Sequence, residues 1–470
     1  MKNTIAAACL LSAAAAVAAV PEVGDVSVSM ARGSRTVEIG YALSGAPGIV
    51  TLDILTNDTA TGAWASIGLS NVTHAVGDVF VRVGEGAGKR IFWCSEKSWP
   101  GHAIESPAQI RAVVKAVATN TPPDYMVCNI VTGERFYYDV EGQLPGGIGS
   151  DDYRKHLLLF RKIPARGKVM RLGASPVLAS YKSDWDRLFR ISFTNDFYMG
   201  VFEVTQWQFN YTAKRGNWTP YFGAYVPSFP GDTRPFDSGG WGAASLDKGS
   251  GTVCPGYGIW GTGNGLPLPV GTDADYGGVA EKSCIGQLRI YTGLGLYLHL
   301  PTQWQWEFAC RAGCEAEFCD GGSVSNVNEA VNAHLDRLGR YKGNGGFIDN
   351  GDGTYTAPEY GSADTSHGTA RVGSYAPNAW GLYDMHGNVA EWCRDLRGVY
   401  IDRQFTEGDI VYFNPPGENE SLPNTTCSNY RGGSWKSLPA SCTSGYRGVR
   451  LQSWGNESRE FGFRLCYTIR

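Results

Sequence analysis

Between residues 22 and 118 apolar side chains recur at every second position. RTVEIGYAL and GIVTLDIL carry that period, which belongs to a strand with one buried face. The turn-forming stretches SGAPG, TNDTATG and GEGAGK separate the runs, and short strands so spaced predict a small all-β sandwich domain over 22–118. PAQIRAVVKAV, near its end, fits either a further strand or a short helix. ATNTPPDY breaks the pattern, and 119–153 reads as a connector with a strand pair of its own. The remaining residues, 154–470, form a second and larger domain of mixed pattern. FYMGVFEVT is extended, and Thr205 is placed to cap a helix over WQFNYTAK. LHLPTQWQWEFACRAG repeats that order, with Thr302 capping a helix that carries Trp306, Glu307, Phe308 and Cys310 and stops at Gly313. FIDNGDGTYTAPEYG predicts an inserted hairpin turning at NGDG.

The first residues have a different pattern. In MKNTIAAACLLSAAAAVAAVPEV, Lys2 precedes an apolar run from Ile5 to Ala15, and Ala16-Val17-Ala18 is an A-x-A cleavage site. This is the pattern of a secretory signal peptide over 1–18, so the expected location is exported: periplasmic, cell-surface or secreted. No later run approaches the roughly 18 apolar residues of a membrane span, so none is expected after cleavage. Cleavage also removes Cys9 from the twelve cysteines, leaving eleven. In an oxidising compartment most of these are expected to pair as disulfides, with at least one left over.

Composition narrows the class further. Glycine accounts for 62 of 470 residues, about twice the usual share near 7%. These glycines alternate with aromatics, which implies a loop-rich fold with a Trp/Tyr core. Net charge is −4 without a basic stripe, which argues against a nucleic-acid partner. No G-x-S-x-G, H-E-x-x-H or P-loop is present, and GTGNG at 261–265 lacks the strand and helix of a dinucleotide site. Cys310, Cys314 and Cys319 lie close together but lack a fourth ligand at finger spacing. The NGDG turn lacks the carboxylate an EF-hand needs at its twelfth position. His386 is the one histidine inside a dense motif, where a role in the turn is expected rather than catalysis.

That motif is NAWGLYDMHGNVAEWCRD, 378–395. It resembles the GLYDM-GN-WEW signature of the formylglycine-generating enzyme family, the sulfatase-modifying factors. FYMGVFEVTQWQF, LHLPTQWQWEFACRAG, and RGGSW followed by YRGVR and FGFRLC resemble further blocks of that family, in family order from about 157 to 470. The resemblance implies an α+β, C-type-lectin-like fold for the second domain. In the oxidases of this family, two cysteines of the GGS segment bind copper and convert a sulfatase cysteine to formylglycine with O2. Here the second matches Cys442 and the first matches Ser437. Ser441 and Ala390 replace a tyrosine and a tryptophan of the same region. Cuprous ion favours paired thiolates, so copper is doubtful. If the chain is an oxidase, Cys442, Ser437 and Ser434 are its catalytic candidates.

The resemblance also implies calcium, bound through Asp384, Gly387, Val389 and Glu391, with a second site near Asn332 and Asp364. Oxygen donors on a glycine-containing turn suit that ion. Cys442 is expected in a disulfide, with Cys393, Cys427 or Cys466 as the available partners. The function expected first is an exported ligand-binding domain for a protein or a glycan. Its ligand face would comprise Lys436, Ser437, Leu438, Ser441, Ser444, Gln452, Trp454 and Glu457, the positions between the fixed residues of the closing segment. The alternative is the active oxidase, with a sulfatase as partner.

Overall fold

The computed structural model describes residues 19–31, 34–57, 62–173, 189–216, 227–237, 283–362, 364–396, 411–413, 427–451 and 459–469. The signal-peptide stretch 1–18, GTGNG, Cys254, Gln452, Trp454 and Glu457 lie outside them. The chain divides into two compact units, 1–122 and 123–470. The architecture is α+β, with a β-rich N-terminal unit and the helices of the second unit set around its sheets.

In the first unit Thr36–Ser44 alternates buried and less buried positions, so Val37, Ile39, Tyr41 and Leu43 share one face. It pairs with Glu22–Met30 on one side and Gly86–Cys94 on the other. A second antiparallel sheet centres on Gly48–Asn57, paired with Ile110–Val117 along its length. PAQ forms a 3-10 turn and IRAVVKAV the strand, which resolves the ambiguity of that stretch. Trp93 is fully buried, whereas Trp64 is half-exposed with the Arg111 guanidinium 4.1 Å from its ring.

In the second unit a six-stranded antiparallel sheet runs in the order Arg135–Tyr138, Tyr125–Asn129, Leu157–Ile163, Phe197–Gly200, Cys466–Thr468, Leu298–His299. The Tyr125–Tyr138 hairpin is thus built into this sheet. Two helices start as their sequences dictate. Thr205 accepts from the Gln208 amide while Gln208 accepts from the Thr205 amide, and Thr302 and Gln305 repeat the arrangement. Each such reciprocal cap is worth about 1 kcal/mol. The helix Gln303–Arg311 ends one residue early, at Ala312, which takes the left-handed conformation (φ 48°). This helix buries Trp304, Trp306, Phe308 and Cys310 against Ile191, Leu382, Met385, Cys393 and Cys466. A smaller sheet, ordered Gly448–Leu451, Cys427–Arg431, Ala390–Leu396, Phe461–Gly462, carries the closing motifs. The inserted hairpin pairs Ile348–Asp349 with Tyr355–Thr356 around NGDG. Among the described residues no helix is long and apolar enough to cross a membrane.

The expected disulfides are overturned. Nine described cysteines, Cys442 and Cys466 among them, form no disulfide. The reason is their placement. Cys310, Cys393 and Cys466 belong to the main core cluster, whereas Cys442 packs with Phe318, Val324, Leu335, Leu338 and Tyr341 in a separate one. In both settings the sulfur fills apolar space as a small hydrophobe.

Candidate functional site

The GLYDMHGNVAEW turn is organised from within by charge. Asp384 and Asn388 take left-handed backbone (φ 56° and 65°), a conformation these short polar residues tolerate better than most. Glu391 is buried and holds Arg464, with the Arg464 Nε–H 2.7 and 2.9 Å from its two oxygens and Nη2–H donating at 2.6 Å. Trp306 Nε1–H donates to the same carboxylate at 2.7 Å. The other Arg464 hydrogens go to the carbonyls of Gly200, Val201 and Tyr383. Glu203, from the FEVT strand end, accepts from Asn388 Nδ2 (2.7 Å) and from the Val389 amide (3.1 Å). Three buried carboxyls, Glu203, Asp384 and Glu391, therefore share one buried guanidinium. Burial, reinforced by Asp384 and Glu391, pushes Glu203 well above the carboxylate range. Burial raises Asp384 to about 6.

The copper-type position adjoins this turn, since the Trp435 amide donates to the Asn388 carbonyl at 2.9 Å. Gly433 (φ 68°) lets the chain pass Cys442: a Cβ there would lie 2.6 Å from the Cys442 sulfur. The Ser434 amide donates to Ser437 Oγ at 2.9 Å and also acts on the Cys442 thiol. Ser434, Ser437 and Cys442 are thus brought together as their motif implies. Ser434 Oγ–H further donates to Glu460 at 3.0 Å. Cys442 is fully buried, and burial pushes its thiol far up from its ordinary value.

His386 serves the turn, as expected. Its Nδ1 lies 2.8 Å from the Cys442 carbonyl, and its Nε2 accepts from the Cys319 amide at 3.2 Å. These partners fix the Nδ1–H tautomer, and burial lowers the ring to about 4. Cys310 Sγ lies 3.7 Å from the same Nε2 and 3.5 Å from Ser444 Oγ. Ser444, expected on the ligand face, is instead fully buried. Lys436, Ser437, Leu438 and Ser441 are partly exposed. Sequence reasoning missed the clamp behind this loop. Arg431 pairs with Glu307 at 3.0 Å, both side chains being 1% exposed, and faces the carbonyls of Ser444, Gly445 and Tyr446 at 3.3–3.4 Å. Glu203 and Arg464 were missed as well. Both stand inside recognised motif blocks, which was the available signal.

The calcium donors fit unequally. Asp384 Oδ2 accepts from the Gly373 amide at 2.6 Å, while its buried Oδ1 has no partner. Such an orphan oxygen is what a hard cation takes. Glu391 is less available, because Arg464 and Trp306 already engage both of its oxygens. Gly387 (φ 118°) packs on the Arg340 backbone, and the buried Val389 gives its amide to Glu203. Asn332 caps the amides of His334 and Leu335, and Asp364 caps Ser366 and meets His367. These two share no hydrogen-bond partner. Among the described residues no group of three or more His, Cys, Asp or Glu side chains is placed to hold a metal.

Residues 270–469 match the family of the sulfatase-modifying factor enzyme 1-like domain. A domain of that family is found over this stretch, which is less than half of the chain. It is 32% identical over 136 residues to the formylglycine-generating enzyme of Thermomonospora curvata, covering 29% of this chain and 38% of that protein. It is also 36% identical over 104 residues to serine/threonine-protein kinase pkn1 of Chlamydia pneumoniae, covering 22% of this chain and 15% of that one. The chain therefore spans well under half the length of these relatives. Among solved structures, PvdO from Pseudomonas aeruginosa aligns at 18% identity and a TM-score of 0.40, over 66% of this chain and 94% of that one.

Proposed function

We propose that the chain is an exported protein whose C-terminal unit is a ligand-binding domain on a C-type-lectin-like frame, without the paired thiolates that hold copper in the oxidases. The observation that carries this reading is the Cys442 position. A single buried thiol, held protonated by desolvation, faces a serine hydroxyl across the Ser434 amide. A protonated thiol is a poor nucleophile and a poor ligand. A hydroxyl is a hard donor, unsuited to cuprous ion. The ligand, a protein or a glycan, meets Lys436, Ser437, Leu438 and Ser441. Calcium at the Asp384 turn belongs to the proposal; it rests on the unpartnered Asp384 oxygen and not on Glu391. The test is a cuprous-ion competition titration of the native protein and of Ser437→Cys. The native protein is expected to bind at least about 100-fold more weakly than the variant, which restores two soft ligands. Equal affinity overturns the reading.

The similarity to the Thermomonospora curvata enzyme favours a second reading. In that one the chain is an oxidase for a sulfatase cysteine, with Cys442 as the reacting thiol and Ser434 and Ser437 beside it.

A further inference from the structure

Arg431 closes the loop that carries the ligand-facing residues. The strand Cys427–Arg431 leads into that loop and Gly448–Leu451 leads out, with Tyr430 paired to Gly448 at its base. The outgoing end folds back onto the Arg431 side chain. Nη1 faces the carbonyls of Ser444, Gly445 and Tyr446 at 3.3–3.4 Å and Glu307 at 3.0 Å. Its two hydrogens are shared among four oxygens, so a fixed charge holds the three carbonyls rather than any one bond. That charge is braced from behind. Glu307 also accepts from Arg311 Nε–H at 2.9 Å, and Arg311 Nη1–H donates to the carbonyls of Glu315 and Ala316 at 3.1 and 3.0 Å. One residue on, the Glu317 carbonyl accepts from the Ser444 amide at 2.8 Å. The path from Ser444 through Arg431, Glu307 and Arg311 therefore returns to Ser444, and the three side chains are 1%, 1% and 4% exposed.

The incoming end is tied separately. The Trp435 amide donates to the Asn388 carbonyl at 2.9 Å, and the Lys342 amide donates to the Ser437 carbonyl at 3.0 Å. Ser437 and Cys442 thus belong to two halves of one loop with separate anchors, yet both face the Ser434 amide. Their spacing depends on both anchors. On the outgoing half His386 fixes the Cys442 carbonyl at 2.8 Å, and Arg431 fixes the carbonyls of 444–446 beyond it. Arg431 also stands at the entry of the loop, so this one residue joins its two ends. We infer that Arg431 is the positioning residue of the ligand loop: it sets the spacing of positions 437 and 442 and presents Lys436, Ser437, Leu438 and Ser441 as a preformed face. A ligand meets such a face without the cost of ordering a loop. This inference rests on the ligand-binding reading and adds how its face is held.

The test uses cuprous ion as a probe of that spacing, in the full chain. In Ser437→Cys the ion binds across positions 437 and 442, so its affinity reports how well the two are preset. Adding Arg431→Met should weaken that affinity about tenfold or more, because the outgoing half loses its anchor. The variant is expected to fold, since Met keeps much of the bulk and Glu307 keeps Arg311 as its cation. Arg431→Lys in the same background restores a charge without the planar fork and should recover only part of the affinity. Leu144→Ala, a core change outside the loop and its anchors, should lower the melting point and leave copper affinity as it was. Hydrogen exchange reads the native chain without any substitution: the Ser444 amide should be protected about 100-fold or more. Unchanged copper affinity with Arg431→Met, an equal loss with Leu144→Ala, or an unprotected Ser444 amide overturns the inference. Each of these outcomes leaves the ligand-binding reading standing, because that reading fails separately, on the comparison of the native protein with Ser437→Cys.

Discussion

Glu391→Gln tests whether the buried Arg464 pair organises the site. The side chains of Arg464 and Glu391 are 0% and 1% exposed, so no solvent discount applies to their contact. Removing one partner of a buried pair costs about 3–5 kcal/mol, mainly through the charge left behind. Arg464 also feels Glu203 and Asp384, which absorb part of that loss. The expected destabilisation of the C-terminal unit is therefore near the lower end, about 3 kcal/mol. Arg464→Met alone leaves the buried Glu391 without its cation and should cost a similar amount. The two changes together remove both charges, so their combined cost should fall short of the sum by about 2 kcal/mol or more. Urea unfolding followed by tryptophan fluorescence reads this directly, because Trp304, Trp306, Trp392 and Trp435 all lie buried in that unit. A cost below about 1 kcal/mol for either single change, or strict additivity, refutes the organising role of the pair.

Gly433→Ala places a methyl 2.6 Å from the Cys442 sulfur at a φ of 68°, and a cost of about 2 kcal/mol or more is expected by calorimetry. Calcium at about 100 times its dissociation constant should stabilise the C-terminal unit by about 2.7 kcal/mol, and Asp384→Ala should abolish the response; an unchanged melting point with calcium removes the ion from the account. Cys442 should resist alkylation in the native protein and react on unfolding, while reductant leaves the melting point unchanged, since the described cysteines form no disulfide. Rapid native labelling of Cys442, followed by peptide mapping, contradicts its burial.

Local patterns carried much of the fold. The alternation in RTVEIGYAL gave the face of Val37, Ile39, Tyr41 and Leu43, and the caps at Thr205 and Thr302 gave two helix starts. The grouping of Ser434, Ser437 and Cys442 was legible because all three lie within one short motif. Long-range partners were not. Glu203 meets Asn388 across 185 positions and Arg431 meets Glu307 across more than a hundred, and no local period records such pairings. The burial of Cys442 was hidden for the same reason. Its neighbours in SLPASCTSG are small and polar, while the apolar wall around it comes from Phe318 through Tyr341. The disulfide expectation failed there, because cysteine spacing says nothing of which core each sulfur enters.

The most direct test of the central claim incubates the purified full chain with a sulfatase-motif peptide, cuprous ion and oxygen, and follows the peptide by mass spectrometry. No conversion of the peptide cysteine to the aldehyde is expected, because burial holds the Cys442 thiol protonated and Ser437, at the position of the second thiolate, is a hydroxyl beside the same Ser434 amide. Aldehyde that forms with the native protein and disappears in Cys442→Ala contradicts the claim and makes the chain an oxidase.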